Sequence, residues 1–83
     1  MKNSKFRKSI HSEEHVALRE LWIEQRKNLG LSQREVAKKL GVTHSLIGKI
    51  ETGDRRLDIF ETIDYCNVLE INPHDVIDHI KVK

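Results

Sequence analysis

The chain has 83 residues, 34% of them charged, a formal net charge of +2 and a single cysteine. That length holds one small domain, a lone Cys66 excludes an internal disulfide, and no apolar run approaches the ~20 residues of a membrane span. The N-terminal stretch MKNSKFRKSIHSEEH also lacks the apolar segment of a secretory signal, so the chain is expected in a reducing cytoplasm. Its charge is unevenly divided. Residues 1–12 carry Lys2, Lys5, Arg7 and Lys8 and no acid, residues 32–56 hold six bases against three acids, and residues 57–83 hold two bases against six acids. A basic half that can sit on phosphate, with an acidic half facing away, is the electrostatic footprint of a nucleic-acid binder.

In chain order, residues 1–12 are polar, basic and without period, and are expected to form a flexible arm before a single domain over 13–83. Ser12 is placed to cap a first helix whose first turn holds Glu13 and Glu14, where the helix dipole favours acids. Val16, Leu18, Leu21, Trp22, Gln25 and Leu29 then recur at mostly helical spacing until Gly30 ends the run. Ser32 and Glu35 form an S-x-x-E capping box for a second helix, with Val36, Ala37 and Leu40 on one face and Gly41 at the left-handed C-terminal position. Thr43 is the next plausible cap, and Leu46, Ile47 and Ile50 give a third helix its buried stripe before Gly53. Two short helices around a tight turn containing glycine make a helix-turn-helix. Asp58 then opens a fourth helix with Ile59, Phe60, Ile63, Cys66, Val68 and Leu69 on a broad apolar face. Asn72, Pro73 and Asp75 start a fifth. No run alternates as a strand would, so the expected fold is all-α with five helices.

The third helix poses a question. With Leu46, Ile47 and Ile50 inward, His44, Ser45, Gly48 and Lys49 point outward, with Thr52 at the end. Gly48 costs ~1 kcal/mol relative to alanine in a helix interior. A recognition helix lying in a major groove ~12 Å wide gains from a bare face that lets its backbone approach. Relief of a clash with a neighbouring helix would account for the glycine equally well, and the sequence leaves both explanations open.

The segment LSQREVAKKLGVTHSLIGKIETGDRRL resembles the helix-turn-helix of the lambda-repressor and Cro-like family, also called the XRE family, and the likeness runs over about residues 18–77. Its markers are Leu31-Ser32-Gln33, Val36-Ala37, Leu40-Gly41-Val42, Ile47, Ile50-Glu51 and Gly53. The resemblance implies a compact five-helix domain that binds operator DNA as a two-fold dimer, usually to repress transcription. It implies base reading by His44, Ser45 and Lys49, with Gly48 at a further outward position. It implies phosphate contacts from Gln33, Thr52, Arg55 and Arg56, with Thr43 dividing its hydroxyl between capping and phosphate. Arg26 and Glu51 match a pair that in the family bridges the first helix and the recognition helix. Gln25 departs from a position that is commonly apolar, with Trp22 available to fill the space.

Other features read as structural. His11 and His15 are spaced i, i+4, and His74 and His79 sit together in HDVIDH, but no set of four ligands gathers and no metal is expected. Neither a nucleophile elbow nor a phosphate-cradling glycine loop is present, so neither catalysis nor a cofactor is expected. Val76, Ile77, Ile80 and Val82 exceed what a small terminal helix needs and are candidates for a dimer surface, against ordinary packing on the first helix. The basic arm can reach toward the minor groove or simply add non-specific attraction. The reading that results is a homodimeric, sequence-specific double-stranded DNA binder, a repressor in a bacterial or phage-like cytoplasm, controlled by its concentration or by a protein partner. An antitoxin or a restriction-modification controller would use the same binding mode. The rival class is a protein-interaction adaptor on the same scaffold.

Overall fold

The computed structural model describes residues 12–81. The basic arm before Ser12, His11 and Val82 lie outside the described residues. Five helices follow in order: α1 (Glu13–Asn28), α2 (Gln33–Leu40), α3 (His44–Thr52), α4 (Ile59–Val68) and α5 (Pro73–Lys81), with no strand among the described residues. None of these helices is long and apolar enough to cross a membrane.

The caps place the boundaries where local chemistry asks for them. The Ser12 hydroxyl accepts from the His15 backbone N–H at 3.2 Å. Ser32 and Glu35 form a reciprocal capping box at 3.1 and 2.8 Å. Asp58 and Glu61 form a second one at 2.7 and 3.0 Å. Asn72 accepts from the His74 N–H at 2.9 Å ahead of Pro73. Thr43 occupies the N-cap position of α3, but its hydroxyl makes no cap bond to a backbone N–H of the helix and shares a hydrogen bond with the Ser45 hydroxyl at 3.2 Å instead. The α2–α3 turn is closed by Gly41 at φ 73°, with the Val42 N–H donating to the Ala37 carbonyl at 3.0 Å. This is the paired C-terminal bond pattern that a left-handed residue makes possible.

A core of Trp22, Val36, Ala37, Ile47, Ile50, Tyr65 and Leu69 joins four of the helices, and Cys66 and Val76 are buried beside it. Burying each large apolar side chain contributes roughly 1.5–3 kcal/mol. Trp22 packs on Tyr65 with ring centroids 4.7 Å apart and planes tilted by 59°. Its indole N–H is buried without a hydrogen-bond acceptor, with only the weak Cys66 sulfur near it. Burial pushes the Tyr65 phenol and the Cys66 thiol up, so neither ionises near neutral pH.

Three expectations change. The broad apolar face expected for α4 is buried only over its C-terminal half: Cys66 and Leu69 face the core together with Tyr65, and Val68 packs against it, while Ile59, Phe60 and Ile63 remain exposed, at 62% and 75% for the first two. Gln25, at a position where an apolar residue is usual, donates its amide to the Leu69 carbonyl at 3.0 Å and so caps the C-terminal end of α4. Val76 is only 4% exposed and belongs to the core, so it is not part of a dimer surface, whereas Ile77 on the next helical position is exposed and Ile80 is half-buried.

The end of α4 repeats the bond pattern of the α2 terminus without a glycine. The Ile71 N–H donates to the Cys66 carbonyl at 2.9 Å, and Glu70 takes the left-handed position at φ 58°. A residue with a Cβ costs ~1–2 kcal/mol there, part of which glycine returns through its freer unfolded state. Glu70→Gly is therefore expected to raise stability by about 0.5–1 kcal/mol in urea denaturation. A loss instead would mean that the Glu70 side chain makes a stabilising contact worth more than the strain.

Candidate nucleic-acid interface

The α3 helix is fixed by its buried side. Ile47 and Ile50 are sealed in the core, and their neighbour Glu51, although charged, is only 9% exposed. Burying a carboxylate is costly unless donors surround it, and Glu51 has three. Arg26 of α1 gives it a two-pronged bond, Nε to Oε2 at 2.7 Å and a terminal nitrogen to Oε1 at 3.1 Å. Gln33 of α2 donates to the same Oε1 at 2.9 Å. The remaining prong of Arg26 reaches the Leu31 carbonyl at 2.9 Å, in the turn between α1 and α2. Bonding to Glu51 raises the Arg26 guanidinium above its already high range.

With that side anchored, the opposite side of α3 presents His44, Ser45, Lys49 and Thr52 as exposed residues, and the Thr52 hydroxyl donates to the Lys49 carbonyl at 3.2 Å. Gly48 lies between them, half-buried. A Cβ built on it would meet only the Gln33 side-chain oxygen, at 3.8 Å, which is ordinary van der Waals contact. No neighbouring helix therefore requires the missing side chain. Gln33 itself spends one amide N–H on Glu51 and keeps the other, at the first turn of α2, where helix N–H groups are also free.

The loop after α3 is organised by Gly53 together with Arg19, a residue that the sequence pattern does not single out. Gly53 ends the helix at φ 90°, a conformation L side chains rarely adopt, and the guanidinium of Arg19 from α1 lies where its Cβ would be, at 2.8 Å. Arg19 also bonds the His15 Nδ1 at 2.6 Å, so that ring nitrogen accepts and carries no proton. Burial, then the charges of Arg19 and Arg56, hold the His15 pKa below its ordinary value. The His15–Arg19 spacing of four on one helix was the only sequence signal for this cluster.

Arg55 and Arg56, expected as twin phosphate contacts, behave differently. Arg55 is engaged internally, with Glu61 at 3.0 Å and the Arg56 carbonyl at 2.6 Å. Glu61 therefore serves both the α4 capping box and the ion pair that clamps the loop to α4. Bonding to Arg55 holds the Glu61 carboxyl below the usual carboxylate range. Lys49 and Arg56 have no carboxylate partner among the described residues. No group of three histidine, cysteine or acidic side chains gathers around a metal position among the described residues.

Against known proteins, a family profile described as Helix-turn-helix matches residues 23–76. The chain is similar in structure to an XRE-family like protein from Pseudomonas syringae pv. tomato str. DC3000, at 33% sequence identity and a TM-score of 0.80, over 88% of this chain and 89% of that one. No curated protein matches the chain in sequence.

The Glu51 hub predicts an asymmetric response to mutation. Arg26→Ala, which leaves a mostly buried carboxylate with one partner fewer, should cost about 3 kcal/mol in urea denaturation. The double change Arg26→Met with Glu51→Leu should cost less than the sum of the single changes, because neither charge is then left unpaired. Strict additivity would show that the pair holds no coupled energy.

Proposed function

The chain belongs to the XRE-type helix-turn-helix family, and on that premise we propose that it binds double-stranded operator DNA sequence-specifically, as a homodimer, and acts as a transcriptional repressor in a bacterial or phage-like cytoplasm. Membership makes it a domain of DNA-binding, transcription-regulator type. The observation that carries the finer reading is the outward face of α3: polar at His44, Ser45 and Lys49, bare at Gly48, and free of any packing reason for the glycine. A helix gives up propensity in this way when something must come close to its backbone, and the wall of the major groove is such a surface.

In this reading Lys49 donates to the O6 and N7 acceptors of guanine, while His44 and Ser45 donate or accept at neighbouring base edges. Gln33 holds Glu51 with one N–H and offers the other to a phosphate, next to the free N–H groups of the α2 terminus. Thr43 and Thr52, at the two ends of α3, offer hydroxyls to the backbone on either side. Arg56 supplies a phosphate contact from the loop, and Arg55 acts first as the clamp that keeps this loop in place. Repression is the proposed direction because occupancy of an operator is enough to exclude polymerase and needs no further surface.

Selection of random duplex DNA by the purified protein, followed by sequencing, is expected to enrich a two-fold site with half-sites ~34 Å apart. On that site Lys49→Ala should relax discrimination at one base pair by ~1–3 kcal/mol, while Arg56→Ala should weaken all sequences alike and flatten the log–log salt slope by ~0.9. Gly48→Ala gives the sharpest separation of fold from function. It should raise folding stability by up to ~1 kcal/mol, since the fold has room for the methyl group, and yet lower operator affinity at least tenfold. If Gly48→Ala bound the selected site as well as the parent, α3 would not be the helix in the groove.

A further inference from the structure

Ile59, Phe60 and Ile63 of α4 are 62, 75 and 38% exposed. At positions i, i+1 and i+4 they form one contiguous strip beginning at the first turn of the helix. Single exposed apolar residues are ordinary, but a clustered strip headed by a phenylalanine marks an interaction surface. We propose that this face of α4 is where two copies of the chain associate. The proposal rests on the homodimeric reading above and gives that dimer its surface.

The chemistry around the strip narrows the occupant. The segment from Ile59 to Val68 holds two acids and no lysine or arginine, and Asp58 caps it. Such a surface repels a phosphate backbone or an anionic membrane, whereas a second copy meets only Asp64 within the helix as an acid unpaired among the described residues, because Glu61 is already neutralised by Arg55. The strip is a convex helix face and not a groove, so its natural complement is an equally flat apolar face, which a second α4 crossing antiparallel supplies with the two helix dipoles opposed. Its size fits a weak association of free chains, visible as concentration rises, that DNA then makes firm. Three side chains exposed to this degree present on the order of a few hundred Å², against the ~800 Å² per partner of a standard stable interface. Two copies on adjacent half-sites gain the remainder from their effective concentration on the duplex. The loop between α3 and α4 transmits the geometry, because the Arg55–Glu61 pair fastens it to α4 and the Gly53–Arg19 packing fastens it to α1. A contact at α4 therefore sets the distance between two α3 helices.

The test is sedimentation of the full chain across about a hundredfold range of concentration, without DNA, for the parent, Phe60→Ser, Asn67→Arg on the same exposed side, and Ile77→Ser on α5. The parent and Ile77→Ser are expected to pass from monomer to dimer. Phe60→Ser and Asn67→Arg should remain monomeric with unchanged thermal midpoints, bind a two-fold duplex at least tenfold more weakly, and bind a single half-site as the parent does. Dimerisation of both α4 variants at parental strength, loss of the dimer only in Ile77→Ser, or a parent that stays monomeric throughout would each overturn the proposal. A parent that dimerises through α4 and yet binds no duplex would uphold it while overturning the DNA-binding reading.

Discussion

One buried carboxylate sets the geometry of this domain. Glu51 sits on the inward side of α3, accepts from α1 through Arg26 and from α2 through Gln33, and leaves Arg26 with a further bond to the turn that joins those two helices. Apolar burial around Trp22, Ile47 and Tyr65 supplies most of the stabilisation but is non-directional and tolerates small rotations of a helix. A charge with fixed donors does not, because any rotation of α3 that breaks the bonds leaves an ion in a low-dielectric site. The ion pair therefore acts mainly on orientation. It holds α3 in the single rotation about its axis that turns His44, Ser45 and Lys49 outward together.

That constraint also explains how α3 can afford its composition. A nine-residue helix with an interior glycine, and with no side-chain bond at its N-cap, would be marginal in isolation. It is held instead by tertiary contacts: Ile47 and Ile50 below, the Glu51 hub at the side, and Gly53 with Arg19 at the end. With helicity secured from outside, the outward face is free to be chosen for what it must approach. Gly48 is the clearest case, because the space around it would accept a methyl group and its absence has no internal cause.

Much of the fold was legible in the sequence because its boundaries are written in short-range chemistry. Caps such as Ser32 with Glu35 and Asp58 with Glu61 act over three residues, and Gly41 acts at its own position, so neither needs tertiary information. The rotation of α4 was not legible for the opposite reason. Its sequence has apolar residues over most of its circumference, and the choice of Tyr65 over Phe60 for the core is made by contact with Trp22, a partner more than forty positions away. Val76 and Gln25 follow the same rule: one is drawn into the core, the other finds a carbonyl at the end of α4 that no local pattern announces. Within the candidate site, the pairing of Arg26 with Glu51 was visible through resemblance. The engagement of Arg55 by Glu61 was not, because a basic loop reads alike whether its charges face solvent or an acid six residues on.

The engagement of Arg55 changes how the charge asymmetry of the chain should be understood. Counted along the sequence, the basic segment ends and the acidic one begins near Leu57, as if two surfaces simply met there. In the fold that junction is tied by an ion pair, so one cation of the basic segment is withdrawn to fasten the acidic helix. In the proposed DNA-binding reading, phosphate attraction then falls on fewer groups, Arg56 among them. On the same reading, the acids of α4 keep an approaching duplex from sliding onto that helix. A surface pair of this kind adds little to stability, since solvent screens it. Its proposed effect is to fix where the attractive field ends, which for a small domain on a long polyanion limits the orientations in which α3 can meet a groove.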